Sequence, residues 1–166
     1  MSLPTKIEDF SENQIKSYIE FDESLYDECD PIAREKAKKL VRLTGKYHAE
    51  DNPNIKGVDL LMFDHHGNYI RDIEVEVSKR WEGAVYTSPL FGAFTAPFRK
   101  IKFFRENSCI YIMFNNDLTW YIWVAGKQFI DVNHIIWFSN NRSSKKEPFL
   151  TIPIYDIYTK KYPEGI

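Results

Sequence analysis

Hydrophobic and polar positions between Gly57 and Lys79 fall into two arms around a polar turn. The first arm, Gly57-Val58-Asp59-Leu60-Leu61-Met62-Phe63, is apolar on both faces except at Asp59. Such a run predicts a strand covered on both sides, where an isolated carboxylate is costly. The second arm, Tyr69 to Lys79, alternates. Ile73, Val75 and Val77 share one face; Asp72, Glu74, Glu76 and Ser78 share the other. Asp64-His65-His66-Gly67-Asn68 between them has the composition of a turn. Burial sets the register: Val58, Leu60 and Met62 are expected on the face of Ile73, Val75 and Val77, since a one-residue slip turns the apolar set outward. Asp59 then shares a face with Glu74 and Glu76, opposite one or the other. Three carboxylates are expected to converge beside a buried strand. Like charges placed this way repel, and a divalent cation, Mg²⁺ or Mn²⁺, would relieve the conflict through carboxylate oxygens.

The rest of the chain follows the same logic. Glu8 to Asp30 is acidic but for Lys16, and Ser11 with Gln14 reads as a capping box before a short stripe of Ile15, Tyr18 and Ile19. This predicts a solvated helical arm. Asp30 to Gly45 predicts a helix, with Asp30 as cap, Pro31 in the first turn and Gly45 at the end. Ala33, Ala37, Leu40, Val41 and Thr44 form its inner stripe, and Arg34, Lys38, Lys39, Arg42 and Lys46 an outer basic face. His48 to Lys56 reads as a polar loop. Trp81 to Ala96 carries aromatics and glycines without helix or strand period, and reads as a loop covering the sheet.

Pro97 to Asn107 predicts a helix with Phe98, Ile101 and Phe104 inward and Arg99, Lys100, Lys102 and Arg105 flanking them. Cys109 to Phe114 and Trp120 to Ala125 predict a second hairpin that extends the sheet. Phe129 to Phe138 fits either a strand or a short helix. Asn140 to Glu147 is a polar loop with Arg142, Lys145 and Lys146, Phe149 to Ile154 an expected edge strand, which accounts for Pro153, and Tyr155 to Ile166 a tail. The expected organisation is one domain over 1–166, with an acidic arm at 1–30, a core at 31–154 and a tail at 155–166.

Composition narrows the function classes. A chain of 166 residues, 43% hydrophobic and 16% aromatic, suits one folded domain. A net charge of −2 means that any polyanion must be met by a local patch. Cys29 and Cys109 form no disulfide framework and no metal-ligand spacing, which fits an intracellular, reducing, cytoplasmic setting. No apolar run approaches a membrane span, and the acidic start does not read as a signal peptide. Internal repeats, a phosphate-binding glycine loop and a serine or cysteine nucleophile motif are missing from the sequence.

Gly57-Val58-Asp59, a turn, and then Glu74-Val75-Glu76 or Glu76-Val77-Ser78 resemble the PD-(D/E)XK nuclease superfamily, whose motif places an acid on one strand and Glu-x-Glu or Glu-x-Lys on the next. The resemblance spans about the middle half of the chain, and its motif is short and degenerate. It implies an α/β fold with a restriction-endonuclease-like mixed central sheet flanked by helices. It implies a metal-dependent endonuclease hydrolysing phosphodiester bonds of DNA, with Asp59, Glu74 and Glu76 holding Mg²⁺ or Mn²⁺ and a backbone carbonyl at Val75 or Val77 completing the set. The departure is at the lysine: Ser78 stands where Glu76-x-Lys would end, Glu76 where Glu74-x-Lys would end, and Lys79 comes one residue late.

In a regular strand Lys79 faces away from Glu74 and Glu76, so it acts only if the strand bulges. A basic helix after the hairpin can supply a displaced lysine in that superfamily, a part Lys100 or Arg99 would take here. Arg99, Lys100, Lys102, Arg142, Lys145 and Lys146 are the expected nucleic-acid contacts, and a homodimer is in keeping with a small nuclease acting on duplex DNA. The missing lysine equally suits a catalytically degenerate nuclease fold serving DNA binding or assembly. His65, His66 and His134 are expected as solvated or packed histidines.

Overall fold

The computed structural model describes residues 3–24, 30–54, 57–87, 92–105, 108–139 and 145–166, with the side chains of 21–24 left aside. Along the chain run α1 (Glu12–Ser24), α2 (Pro31–Leu43), β1 (Tyr47–Asp51), β2 (Leu60–Asp64), β3 (Tyr69–Val77), β4 (Ala93–Pro97), α3 (Ile101–Phe104), β5 (Ile110–Phe114), β6 (Trp120–Ala125), α4 (Lys127–Val132), β7 (Ile135–Ser139), β8 (Lys146–Pro153) and β9 (Thr159–Lys161). Among the described residues these elements make an α/β protein with two sheets. The larger has the order β1-β2-β3-β5-β6-β9; the smaller has the order β4-β8-β7. In the larger sheet β3 and β5 are parallel and every other pair is antiparallel.

The β2–β3 hairpin forms in the register that burial requires. Leu60 faces Ile73, and a bulge between Met62 and Phe63 absorbs the turn. Asp64 closes that turn by accepting the amides of His66 and Asn68, each at 2.9 Å. Alternation then divides two cores. Leu60, Met62, Ile73, Val75, Ile110, Ile112 and Phe114 pack against Ala33, Ala37, Leu40 and Val41 of α2. Asp30 caps that helix through the amides of Ile32 and Ala33. The opposite face carries Tyr111, Met113, Ile122 and Val124, and is covered by the smaller sheet, α3, α4 and the N-terminal segment. Val58 packs in this second cluster, not with Leu60 and Met62 as expected, because β2 begins only at Leu60 and the alternation does not reach back to it.

Other differences have equally local reasons. The polar stretch after His48 is the edge strand β1, in which only Ala49 is buried, so it carries no alternating signal. β4 lies within the stretch that lacked a period; its inward side is Phe94 and Ala96, too small a set to announce a strand. Phe98–Lys100 forms one 3₁₀ turn before the single α-turn of α3, so the helix after Pro97 is shorter than its basic pattern suggested. The ambiguous segment holds both elements, α4 and then β7. β8 is central in its sheet rather than an edge, with β4 and β7 on either side.

The expected tail contributes β9, paired with β6. The N-terminal arm is docked, not free: Phe10 stacks on Phe98 with ring centroids 4.6 Å apart, and the Trp137 indole donates to the Pro4 carbonyl at 2.6 Å. Its Ser11–Gln14 capping box is present in both directions. No described helix is long and apolar enough to cross a membrane.

Candidate functional site

The site begins where the β2–β3 ladder ends. Beyond the Leu60–Ile73 pair the two strands stop exchanging backbone hydrogen bonds, and side chains replace them. The Asp59 carboxylate accepts the Val75 amide at 2.8 Å, while the Asp59 amide donates to Glu74 Oε2 at 3.0 Å. Each acid thus satisfies a backbone group freed by the parting strands. Asn52 holds the segment from the other side, donating from its carboxamide to the Val58 carbonyl at 2.9 Å. Gly57 makes room for this: a Cβ there would lie 2.6 Å from that same Asn52 nitrogen. A side chain at Gly57 would thus push the Asn52 carboxamide off the Val58 carbonyl.

Lys100 completes the cluster. It comes from the turn before α3, is itself buried, and its ammonium forms an ion pair with Glu74 Oε1. Glu74 is only 3% exposed, and both of its oxygens are engaged, one by Lys100 and one by the Asp59 amide. Glu76 lies two residues along the same face, half-buried, and accepts the Tyr111 hydroxyl at 2.8 Å. Tyr111 is fully buried on β5, where the parallel register sets it beside Glu74.

The electrostatics follow from this crowding. Burial, and next the Glu74 carboxylate, push Asp59 up to about 8 against the opposing pull of Lys100 and the Val75 amide. Burial works against the Lys100 ammonium, but Glu74, Glu76 and Asp59 together hold it above the ordinary lysine range. The Tyr111 phenol is pushed well up, first by burial and then by Glu76. Burial followed by Glu74 and Asp72 raises the Cys109 thiol, leaving it protonated and inert.

Asp59, Glu74 and Lys100 are thus brought together, and Glu76 stands beside them. The expected convergence of three carboxylates is reduced to two: among the described residues no three His, Cys, Asp or Glu side chains gather as a metal cage. Lys79 is exposed on the turn after β3, which ends at Val77 without the bulge Lys79 would need, and it forms no ion pair with these acids. Arg99 and Lys102 flank Lys100 and are half-buried, with the Lys102 ammonium 4.8 Å from the Phe103 ring centre. Lys145 and Lys146 are exposed at the start of β8, and Arg142 lies outside the described residues.

The basic face of α2 belongs to the other side of the sheet, and part of it is neutralised there: Lys38 pairs with Asp51 at 3.0 Å and Arg34 with the same carboxylate at 3.8 Å. His65 and His66 sit exposed on the hairpin turn. Tyr111 is the site residue that sequence reasoning missed. It sits in a strand that is buried throughout, and no residue pattern announces that β5 lies beside β3.

Fold and site together define an α/β protein with a six-strand mixed sheet, a three-strand antiparallel sheet and a buried Asp59–Glu74–Lys100 cluster where one hairpin opens. No family model, no curated protein and no solved structure matches the chain.

Proposed function

We propose that the chain is a metal-dependent nuclease that hydrolyses phosphodiester bonds of DNA at the Asp59–Glu74–Lys100 cluster, on a restriction-endonuclease-like arrangement. The observation that carries this is the meeting of Asp59 and Glu74 with a lysine delivered from the segment after the hairpin. That is the displaced cation which the resemblance requires once Ser78 stands in the lysine position. The mixed sheet, with an antiparallel hairpin followed by the parallel strand β5, supports the same reading.

The donor set suits a hard divalent cation. Mg²⁺ is held through one or two carboxylates together with water and substrate phosphate, rather than by an all-protein cage. Asp59 and Glu74 are two such carboxylates; burial first and the Glu74 charge second raise Asp59, and a cation relieves the second of these. The chemistry such an ion supplies when bound is polarisation of the scissile phosphate and a lowered pKa for its water. The chain's own residues do the rest. Asp59, just before β2, and Glu74, on β3, orient the site, and the Val75 amide fixes the Asp59 carboxylate. Lys100, charged and buried, stabilises the negative charge that develops on the phosphoryl oxygens, an electrostatic contribution that is large in a water-poor site.

A second reading has its own observation. Both Glu74 oxygens are already engaged inside the protein, as befits a nuclease fold that has kept the cluster for structure and serves as a DNA-binding or assembly module. One experiment separates the two. Pure protein is incubated with single-stranded, duplex and branched DNA in Mg²⁺, Mn²⁺ or EDTA. Cleavage in either metal and none in EDTA supports the nuclease. Binding without cleavage under every condition supports the module.

A further inference from the structure

Glu76 points along the same face as Glu74, yet it does not join Asp59 and Glu74. The reason is on the neighbouring strand. Tyr111 is fully buried and its ring is boxed by Phe94, Phe104 and Phe129, with ring centres 5.9, 5.5 and 5.9 Å away. Such a ring has no freedom to follow a moving partner. Its hydroxyl is the polar end of an otherwise aromatic cluster and would be costly to leave unpaired. The Glu76 carboxylate, 2.8 Å away, satisfies it.

We propose that Tyr111 is a positioning residue that anchors Glu76 outside the Asp59–Glu74 pair, so that the site offers a cation two carboxylates and keeps Glu76 as the counter-charge of Lys100. The inference rests on the metal-site reading of Asp59 and Glu74. A two-carboxylate site leaves coordination positions for water and phosphate. A third carboxylate would bind the ion more tightly, fill one of those positions and repel the substrate. Ligand charge count is what tunes the affinity of such oxygen sites over decades.

The test is Mn²⁺ binding to the DNA-free protein, measured by titration calorimetry for wild type, Tyr111→Phe, Glu76→Gln, Glu76→Ala and the Tyr111→Phe/Glu76→Gln pair. Phenylalanine keeps the ring and its cage and removes only the anchor. Tyr111→Phe is expected to bind Mn²⁺ tighter by roughly tenfold, as the freed Glu76 swings in and adds a charged ligand, and to cleave DNA more slowly through kcat with KM unchanged. Glu76→Gln, Glu76→Ala and the double variant, which lack the carboxylate that would swing in, should bind Mn²⁺ no tighter than wild type. Unchanged affinity in Tyr111→Phe overturns the positioning role while leaving the metal site standing. If Tyr111→Phe fails to fold, Glu76→Ala decides: abolished binding would make Glu76 a ligand and overturn the inference, while binding retained within about tenfold of wild type supports it. Absence of Mn²⁺ binding in wild type and every variant overturns both the inference and the metal site beneath it.

Discussion

The Asp59 amide donates to Glu74 Oε2 at 3.0 Å, locking two acidic residues to each other at the point where their strands part. Asp59 holds its proton up to about 8, first because it is buried and then because Glu74 is beside it. In the unfolded chain the same group titrates near about 3.9. Between about pH 4 and 8 the folded state keeps a proton that the unfolded state releases. The stability due to this group is therefore greatest at low pH and is lost as pH rises through that window. Asp59→Asn keeps an oxygen for the Val75 amide and carries no titrating proton. Its melting temperature should rise relative to wild type between pH 5 and pH 9, in metal-free buffer. About 1 kcal/mol moves the melting temperature of a domain of this size by roughly 2–4 °C, so the divergence is measurable. Parallel curves for the two proteins across that range would contradict the retention of a proton by folded Asp59.

Lys100 and Glu74 form a buried pair, their side chains 10% and 4% exposed. Removing one partner leaves the other charge stranded, at a cost of about 3–5 kcal/mol. Lys100→Met should lower stability by that order in urea denaturation, and adding Glu74→Leu should recover most of it. If the double variant is no more stable than Lys100→Met, the pair is not what the substitution broke. For activity, Lys100→Met should lower cleavage by about a hundredfold or more. Ser78→Lys, one residue past the end of β3, should restore part of it. Full activity without Lys100 would remove it from the chemistry.

Charge around the site is separable from charge on the helix behind it. Arg99 and Lys102 flank Lys100, whereas Lys39 and Arg42 are exposed on α2, which covers the opposite face of the sheet. Replacing Arg99 or Lys102 by alanine should reduce the slope of log affinity against log salt for DNA by about 1 each. Lys39→Ala and Arg42→Ala should leave it unchanged. Equal effects from both groups would place DNA elsewhere.

The parts legible in the sequence are those where one residue pattern decides one element. Asp30-Pro31 starts α2, and the parity of Ile73, Val75 and Val77 pins the hairpin register and puts Asp59 with Glu74. What was illegible depends on partners distant in the chain. β1 is a polar edge strand recognisable only beside β2, and β4 is short and carries alanine inward. That β8 is central follows from having β4 and β7 on both sides, a fact of assembly that Pro153 cannot reveal. At the site, Lys100 was visible as a displaced cation, yet its pairing with Glu74 depends on how the segment after β4 folds back. The withdrawal of Glu76 depends on Tyr111, a residue that alternation marks only as core.

The central claim is that Asp59 and Glu74 form the metal-dependent centre of a nuclease, and cleavage measured side by side in wild type, Asp59→Asn and Glu74→Gln tests it most directly. The three proteins are purified identically and incubated with a DNA substrate mixture in Mn²⁺, with an EDTA control for each. The expected result is cleavage by wild type in Mn²⁺ alone, and none by either variant although both remain folded. Cleavage that survives Asp59→Asn, or a wild type that cuts no DNA in Mg²⁺ or Mn²⁺, would contradict it.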